Sequence, residues 1–315
     1  MKSIASAPGK IILFGEHFVV YGLQAVLGAI DKRVTVTSTR RDDVIIYIKS
    51  SLGELTVHNS DPIEDVDKKF RPFVYIAKKI LQRYGNRGIS IKIDSEIPLG
   101  VGLGSSSACC VAAAASVMNL FEEPTHEQIL QMSIDAEKTI FPNTSGADCN
   151  VCTYGGIITY DKTNGLKNLD EKFNLDMIII NSNLEHSTDK VVNRVKNFKE
   201  KNTKIFQSLC EEETKLVKKS IESLRNNDMV TLGKCMSQNQ IYLEQIGVSN
   251  DKLLSIIESI ERTSLGIKIT GAGDGGCLIM LVDPKLKQSA IDDLETNSYE
   301  YFSVRIDHDG VQIFN

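Results

Sequence analysis

Pro98-Leu99-Gly100-Val101-Gly102-Leu103-Gly104-Ser105-Ser106-Ser107 runs directly into Ala108-Cys109-Cys110-Val111-Ala112-Ala113-Ala114-Ala115. The join between these two stretches decides how the rest of the chain is read. Glycines at alternate positions remove every second Cβ from a loop that a phosphate chain could then approach closely. The backbone N–H groups that follow are the unpaired donors of a helix N-terminus, where the peptide dipoles favour negative charge. Serine hydroxyls at that point can cap the helix, touch phosphate or hold Mg²⁺. No Gly-Lys-Ser/Thr is present, so the loop is not a Walker A sequence, and the glycine spacing departs from the dinucleotide-binding fingerprint. A glycine-rich turn with a serine cap is the plainer alternative. The alanine run weighs against it, because a helix small on all faces suits a buried central position with its N-terminus aimed at a ligand.

Outward from this join, the first half alternates strand and helix signals. Ile89, Ile91 and Ile93 repeat at period two just before Pro98, and Val34, Val36, Ser38 and Val44, Ile46, Ile48 do the same upstream. Residues 10–14 and 24–30 are apolar and β-capable. Phe73, Ile76, Ala77, Ile80 and Leu81 make one helical face within 69–84, with Gly85 as its stop. The second half begins with one buried strand at 174–182. Helices are predicted over 188–199, 203–226, 228–246 and 250–261, then strands at 266–270 and 277–282 and a helix near 285–296. An Asp309-Gly310 hairpin is predicted to join 301–307 to 311–314. The pattern is α+β in two domains, placed at 1–168 and 169–315.

Composition narrows the function classes. Of 315 residues, 42% are hydrophobic and 24% charged, an ordinary globular balance, and the formal net charge of −5 comes with no basic run. Nucleic acid is thereby excluded as an expected partner, and any anion must be met by local helix N-termini, a few lysines or a metal ion. No apolar stretch is long enough to span a bilayer, and the N-terminus lacks a signal-peptide core, so a cytoplasmic location is expected. The seven cysteines are irregularly spaced. Cys149 and Cys152 form a C-x-x-C without a second pair to complete a zinc site, and free cysteines of this kind ordinarily pack as small hydrophobes.

Three further segments carry ionisable groups beside glycine. Ala7-Pro8-Gly9-Lys10 leads through an apolar strand to Phe14-Gly15-Glu16-His17, putting charge at both ends of a buried element. Glu137 precedes Asn143-Thr144-Ser145-Gly146-Ala147-Asp148, so a helix-end Glu and an Asp after a Ser-Gly turn could meet over one cation. They could equally be a helix-face charge and a turn cap. Lys268-Ile269-Thr270-Gly271-Ala272-Gly273-Asp274-Gly275-Gly276 is either a tight loop between strands or a surface set against a ligand. Each has a bland alternative, and their joint occurrence in this order tips the balance.

In this order the segments resemble the GHMP kinases, whose name joins galactokinase, homoserine kinase, mevalonate kinase and phosphomevalonate kinase. Ala7-Pro8-Gly9-Lys10 with Phe14-Gly15-Glu16-His17-Phe18-Val19-Val20-Tyr21-Gly22 is similar to the mevalonate kinase branch in particular. The resemblance extends from near residue 5 to past residue 277. It implies a ribosomal S5-like N-terminal domain, a ferredoxin-like C-terminal domain and an active site between them. The implied activity is transfer of phosphate from ATP to mevalonate, yielding 5-phosphomevalonate, in a homodimer. Another acceptor of the same family, or a non-catalytic binder of ATP and a metabolite, is the alternative.

By the same resemblance Pro98, Gly100, Gly102, Leu103, Gly104, Ser105, Ser106 and Ser107 would hold the nucleotide phosphates, with Gly271, Ala272 and Gly273 closing over them. Ser106 and Glu137 would hold Mg²⁺. Asp148 would be the catalytic base, Lys10 would sit between it and the substrate hydroxyl, and Glu16, His17 and Thr188 would line the substrate pocket. The chain departs from the family pattern at Phe141-Pro142, where His-Gly is usual, at Ser107, where Ala is common, and at Asp274, where glycine is usual.

Overall fold

The alternating Val and Ile residues of the first half become the inner positions of one large sheet. The computed structural model describes residues 1–85, 87–98, 100–169, 171–185 and 187–314. Strand β1 (Lys2–Phe14) pairs antiparallel with β2 (Ala25–Arg41) along almost its whole length. The sequence suggested two pieces, 24–30 and 34–38, but β2 is one strand. A register shift at Pro8/Gly9 leaves Asp31 and Lys32 outside the ladder, so the polar interruption is a bulge rather than a break. Then come β3 (Ile45–Ser50), β4 (Gly53–His58), helix α1 (Arg71–Tyr84) and β5 (Gly88–Ser95). Strand β4 gave no clear signal because it is an edge strand with mostly exposed side chains.

Helix α2 (Ser105–Met118) lies on β1 and β2, and every residue from Cys110 to Met118 is buried. Its alanines let the sheet come close, and the Ser116 hydroxyl donates to the Ser3 carbonyl at 3.0 Å. Helices α3 (His126–Glu137) and α4 (Ala147–Tyr154) flank it. Strands β6 (Ile157–Asp161) and β7 (Gly165–Leu169) extend the sheet from β2.

The second sheet uses β8 (Met177–Asn181), β9 (Gly266–Thr270), β10 (Cys277–Leu281) and β11 (Glu300–Val304) in the antiparallel order β11-β8-β10-β9. Helices α5 (Thr188–Lys201), α6 (Thr203–Arg225), α7 (Met229–Gln245) and α8 (Asp251–Ile260) connect β8 to β9, and α9 (Lys287–Thr296) connects β10 to β11. A strand order of fourth, first, third, second, with a helical crossover in each half, is the ferredoxin-like arrangement the resemblance implied. The four helices of the first crossover all begin and end within two residues of their predicted bounds.

The expected hairpin at Asp309-Gly310 is not formed. Strand β11 pairs with β8 in the second sheet, whereas β12 (Gln312–Phe314) pairs with β1 in the first. The dipeptide does turn the chain. Asp307 Oδ1 accepts the N–H groups of Asp309 and Gly310 at 3.0 and 2.9 Å, and its carboxylate pairs with Arg33 of β2. That ion pair draws the chain end onto the first sheet, so a correct local turn signal named the wrong partner strands.

Helix α7 and β9 meet backbone to backbone. A Cβ added at Gly233 would lie 2.1 Å from the Leu265 carbonyl oxygen, and one at Gly266 would lie 2.0 Å from the Gly233 carbonyl oxygen. Alanine in a helix interior ordinarily gains ~1 kcal/mol over glycine, but forced overpacking costs about 1–3 kcal/mol. Gly233→Ala is therefore expected to lower the urea midpoint, and a raised midpoint would contradict the close crossing.

Candidate active site

A cavity of about 780 Å³ opens between the two sheets, and its wall is drawn from β1, the glycine loop, α2, α3, α4, α5 and the loop after β9. Of the residues predicted to act together, Lys10, Glu16, His17, Pro98, Gly100, Gly102, Leu103, Gly104, Ser105, Ser106, Ser107, Glu137, Asp148, Thr188, Gly271 and Ala272 all line it. Gly273 does not; it is turned against Val248, whose carbonyl oxygen would lie 2.4 Å from an added Cβ. Leu99 of the glycine loop lies outside the described residues.

Lys10 reaches the cavity because β1 passes directly beneath the glycine loop. Its N–H donates to the Leu103 carbonyl at 2.9 Å, and a Cβ at Gly104 would lie 2.5 Å from Lys10 Cγ. Gly104 also has φ +71, a conformation that side chains disfavour, and immediately precedes α2. Glycine is thus required there twice, for its backbone shape and for the lysine beneath it. The Lys10 ammonium stands 3.3 Å from Asp148 Oδ2; the lysine is buried and the aspartate about one-third exposed. Asp148 sits in the first turn of α4, which Gly146 opens at φ +73.

Glu137, at the end of α3, is buried and accepts two hydroxyls. Ser107 donates to Oε1, and Thr144 donates to Oε2 at 2.5 Å. The resemblance places Ser107 in the phosphate loop and gives Thr144 no role, whereas in the structure these two hydroxyls orient the carboxylate. Ser106, one position earlier on α2, is exposed toward the cavity. The serine replacing the usual alanine at 107 is therefore an internal tie to Glu137. Nearby, Cys110, Cys149 and Cys152 are buried free thiols, with burial pushing each well above the ordinary cysteine value.

The other end of the cavity is built on Gly15-Glu16-His17. His17 has φ +62, a sparsely populated conformation for a residue with a side chain. Its Nε2 lies 2.8 Å from the Ala272 carbonyl, which can only accept, so the proton is on Nε2 and Nδ1 is left as an acceptor. Burial lowers the His17 pKa, and Lys268 adds to that effect, against the hydrogen bond to Ala272. Burial and Lys268 thus both favour the neutral ring. Glu16 pairs with Lys268 of β9, both buried; burial raises the Glu16 pKa and lowers that of Lys268, while their mutual attraction opposes both shifts. Glu213 of α6 is buried beside them, and desolvation pushes it up to about 7. Neither Lys268 nor Glu213 carries a role that the sequence pattern or the resemblance assigns.

The loop after β9 faces the glycine loop. An added Cβ at Gly271 would lie 3.8 Å from Gly102. Thr270 Oγ1 accepts the Ile12 N–H at 3.0 Å and donates to the Ile12 carbonyl at 3.2 Å, so the second sheet is fastened to β1 at the cavity. Asp274, where the family pattern has glycine, keeps the left-handed backbone at φ +59 and uses its side chain. Its carboxylate takes Arg194 of α5 at 2.8 Å, tying this loop to the helix that starts at Thr188. Phe141 and Pro142, the other departure, line the cavity mouth.

Chemically, one half of the cavity offers backbone N–H groups and hydroxyls suited to phosphate oxygens. The other half offers apolar walls from Ile12, Val19 and Val192 with hydrogen-bond acceptors at their edge, and the Lys10–Asp148 pair joins the halves.

The GHMP kinases N terminal domain model matches residues 72–156, and the GHMP kinases C terminal model matches residues 220–300. A mevalonate kinase of Archaeoglobus fulgidus is 36% identical over 280 residues, covering 88% of this chain and 92% of that protein. A mevalonate kinase of Thermococcus gammatolerans is 34% identical over 309 residues, covering 92% of each. Among solved structures, the Methanococcus jannaschii mevalonate kinase superposes with a TM-score of 0.86 at 27% identity, over 96% of this chain and 98% of that one. The L. major mevalonate kinase in complex with R-mevalonate superposes at 0.82 and 25% identity, over 98% of this chain and 96% of that one.

Glu213 yields a pH prediction. Its folded value, about 7, lies above the ordinary 4.5, so the folded chain holds this proton more tightly than the unfolded chain does. The stability this group contributes is complete below pH 4.5 and is lost as pH rises to about 7. Denaturant titrations of wild type against Glu213→Gln should show the difference between them moving against wild type across that window. A difference that is flat or moves the other way would contradict the burial argument.

Proposed function

The chain belongs to the GHMP kinase family, and on that premise we propose that it is a mevalonate kinase, moving the γ-phosphoryl group of ATP to the C5 hydroxyl of (R)-mevalonate. The observation that carries the reading is the Lys10–Asp148 pair at 3.3 Å, in the same cavity as the glycine loop and the N-terminus of α2. Phosphoryl transfer asks a protein mainly for alignment and neutralisation of charge. The acceptor oxygen forms its bond to phosphorus while the bond from phosphorus to the ADP oxygen breaks. Asp148 first orients the hydroxyl and then receives its proton, and the Lys10 ammonium stabilises the emerging alkoxide. The N–H groups that open α2 and the loop through Gly104 meet the nucleotide phosphates.

Mg²⁺ fits the residues present. Ser106 and Glu137 offer only oxygen, the donor this hard cation prefers, and Mg²⁺ commonly takes one or two protein carboxylates with the rest of its shell from phosphate and water. When bound, it supplies neutralisation of the phosphate charge. The tie of Glu137 to Ser107 and Thr144 holds its carboxylate in place for that task.

The acceptor side favours an unphosphorylated alcohol. Its walls are Ile12, Val19, Val20, Thr188, Asp189 and Val192, and Lys10 is the only Lys or Arg among the described residues lining the cavity. A second phosphate on the acceptor would call for further cations. His17, with burial favouring its neutral form and no partner for Nδ1 among the described residues, suits another hydroxyl of the acceptor. A homodimer and a cytoplasmic location belong to the same reading, and light scattering tests the first. Among the described residues no helix is long and apolar enough to cross a membrane.

The test is a coupled ADP-release assay across mevalonate, phosphomevalonate, homoserine and galactose, with the product's phosphorylated carbon read by phosphorus NMR. Turnover with mevalonate well above the others, with phosphate at C5, is expected. Preference for another acceptor would replace the substrate while leaving the kinase. Asp148→Asn and Lys10→Met should each lower kcat ~10²-fold or more with ATP binding little changed. Near-wild-type turnover of Asp148→Asn would remove it as the base.

A further inference from the structure

The turn at Gly15-Glu16-His17 is held residue by residue from the other half of the molecule. The Gly15 N–H donates to Glu213 Oε1 of α6 at 3.1 Å, Glu16 pairs with Lys268 of β9, and His17 bonds the Ala272 carbonyl. The turn needs such holding. Gly15 has φ +90 and packs so tightly on Gln24 and Ala25 that an added Cβ would lie 2.6 Å from each, and His17 has φ +62. Without outside contacts these backbone conformations would relax.

The holding groups are themselves fixed. Glu213 is fully buried and accepts Asn239 Nδ2 of α7 on both oxygens, at 2.9 and 2.8 Å. Lys268 is fully buried and also donates to the Ile269 carbonyl at 2.5 Å. Glu16 lines the cavity at 2% exposure, and its Oε2 has no hydrogen-bond partner among the described residues. A buried acceptor left over from an ion pair is what a substrate hydroxyl would satisfy. Among the described residues Glu213 and Lys268 bond none of Gly100–Ser107, Glu137, Gly271 or Ala272; only the His17 bond reaches the loop that faces Gly102.

We propose that Glu213 and Lys268 are positioning residues for the alcohol substrate: they lock the Gly15–His17 turn so that Glu16 Oε2 and His17 Nδ1 face the acceptor, and they have no part in holding nucleotide. This rests on the reading of the cavity as a kinase site with its acceptor beside Asp148. Glu213 acts through the Gly15 N–H, Lys268 through the Glu16 carboxylate, and neither touches the reacting atoms.

Steady-state kinetics on the full chain test it. Glu213→Ala should raise KM for the acceptor about tenfold, the effect of one lost hydrogen bond of ordinary strength, while KM for ATP stays within about twofold. Glu213→Gln keeps an oxygen for the Gly15 N–H and should bring the acceptor KM back to within about threefold of wild type. Should Glu213→Ala not fold, the paired change Glu213→Leu with Asn239→Leu removes both polar partners, keeps the packing and should give the same rise. An unchanged acceptor KM, a parallel rise for ATP and acceptor, or a Gln variant as poor as Ala would each overturn the proposal. Amide exchange at Gly15 separates this from the activity reading. Wild type should protect it and Glu213→Ala should not, whichever alcohol the enzyme accepts and even if it accepts none; equal protection in both overturns the proposal.

Discussion

The cavity depends on how closely a lysine stem passes beneath a glycine. Lys10 lies under Gly104 with no room for a Cβ between them, and its N–H holds the Leu103 carbonyl. The same strand, β1, therefore fixes the height of the glycine loop and delivers the ammonium to Asp148. Strand β1 is also where the two sheets meet, since Thr270 grips both polar groups of Ile12. Moving β1 would disturb the phosphate loop, the Lys10–Asp148 pair and the fastening of the second sheet together. That shared dependence explains why residues so far apart in sequence form one site.

The two ends of the cavity use different physics. At the loop end, a chain of net charge −5 receives anions through glycine backbone, serine hydroxyls and a helix N-terminus, with Glu137 steadied by two hydroxyls. At the acceptor end, the buried Glu16 pairs with the buried Lys268, and the buried Glu213 lies within the field of both. Burying three ionisable groups is costly unless each is bonded, and here they are bonded to a turn with two unusual backbone conformations. The cost of burial is thereby converted into a defined shape where the alcohol must sit.

The second-half helices were legible because each carries an apolar stripe at helical spacing, and the glycine loop because its chemistry is local. What the sequence hid was pairing and depth. Asp309-Gly310 announced a turn, but the Arg33–Asp307 ion pair, made across 274 positions, chose the strand it leads to. Glu213 stands in an amphipathic helix rich in Glu and Lys, where nothing local marks one glutamate as buried. Lys268 was visible at the start of its glycine segment, yet its partner lies 252 positions away. Ser106 and Ser107 are neighbours in the sequence, and only the packing of α2 on α3 turns one to the cavity and the other to Glu137. Asp274 looked like an irregularity until its contact with Arg194 gave the side chain a purpose.

The most direct measurement is a crystal structure of the protein with a non-hydrolysable ATP analogue and mevalonate. The triphosphate should lie along Gly100–Ser107, and the C5 hydroxyl should stand about 2.6–3.2 Å from Asp148, between that carboxylate and the γ-phosphorus. A nucleotide seated elsewhere, or an acceptor hydroxyl out of reach of Asp148 while both ligands are bound, would contradict the site described.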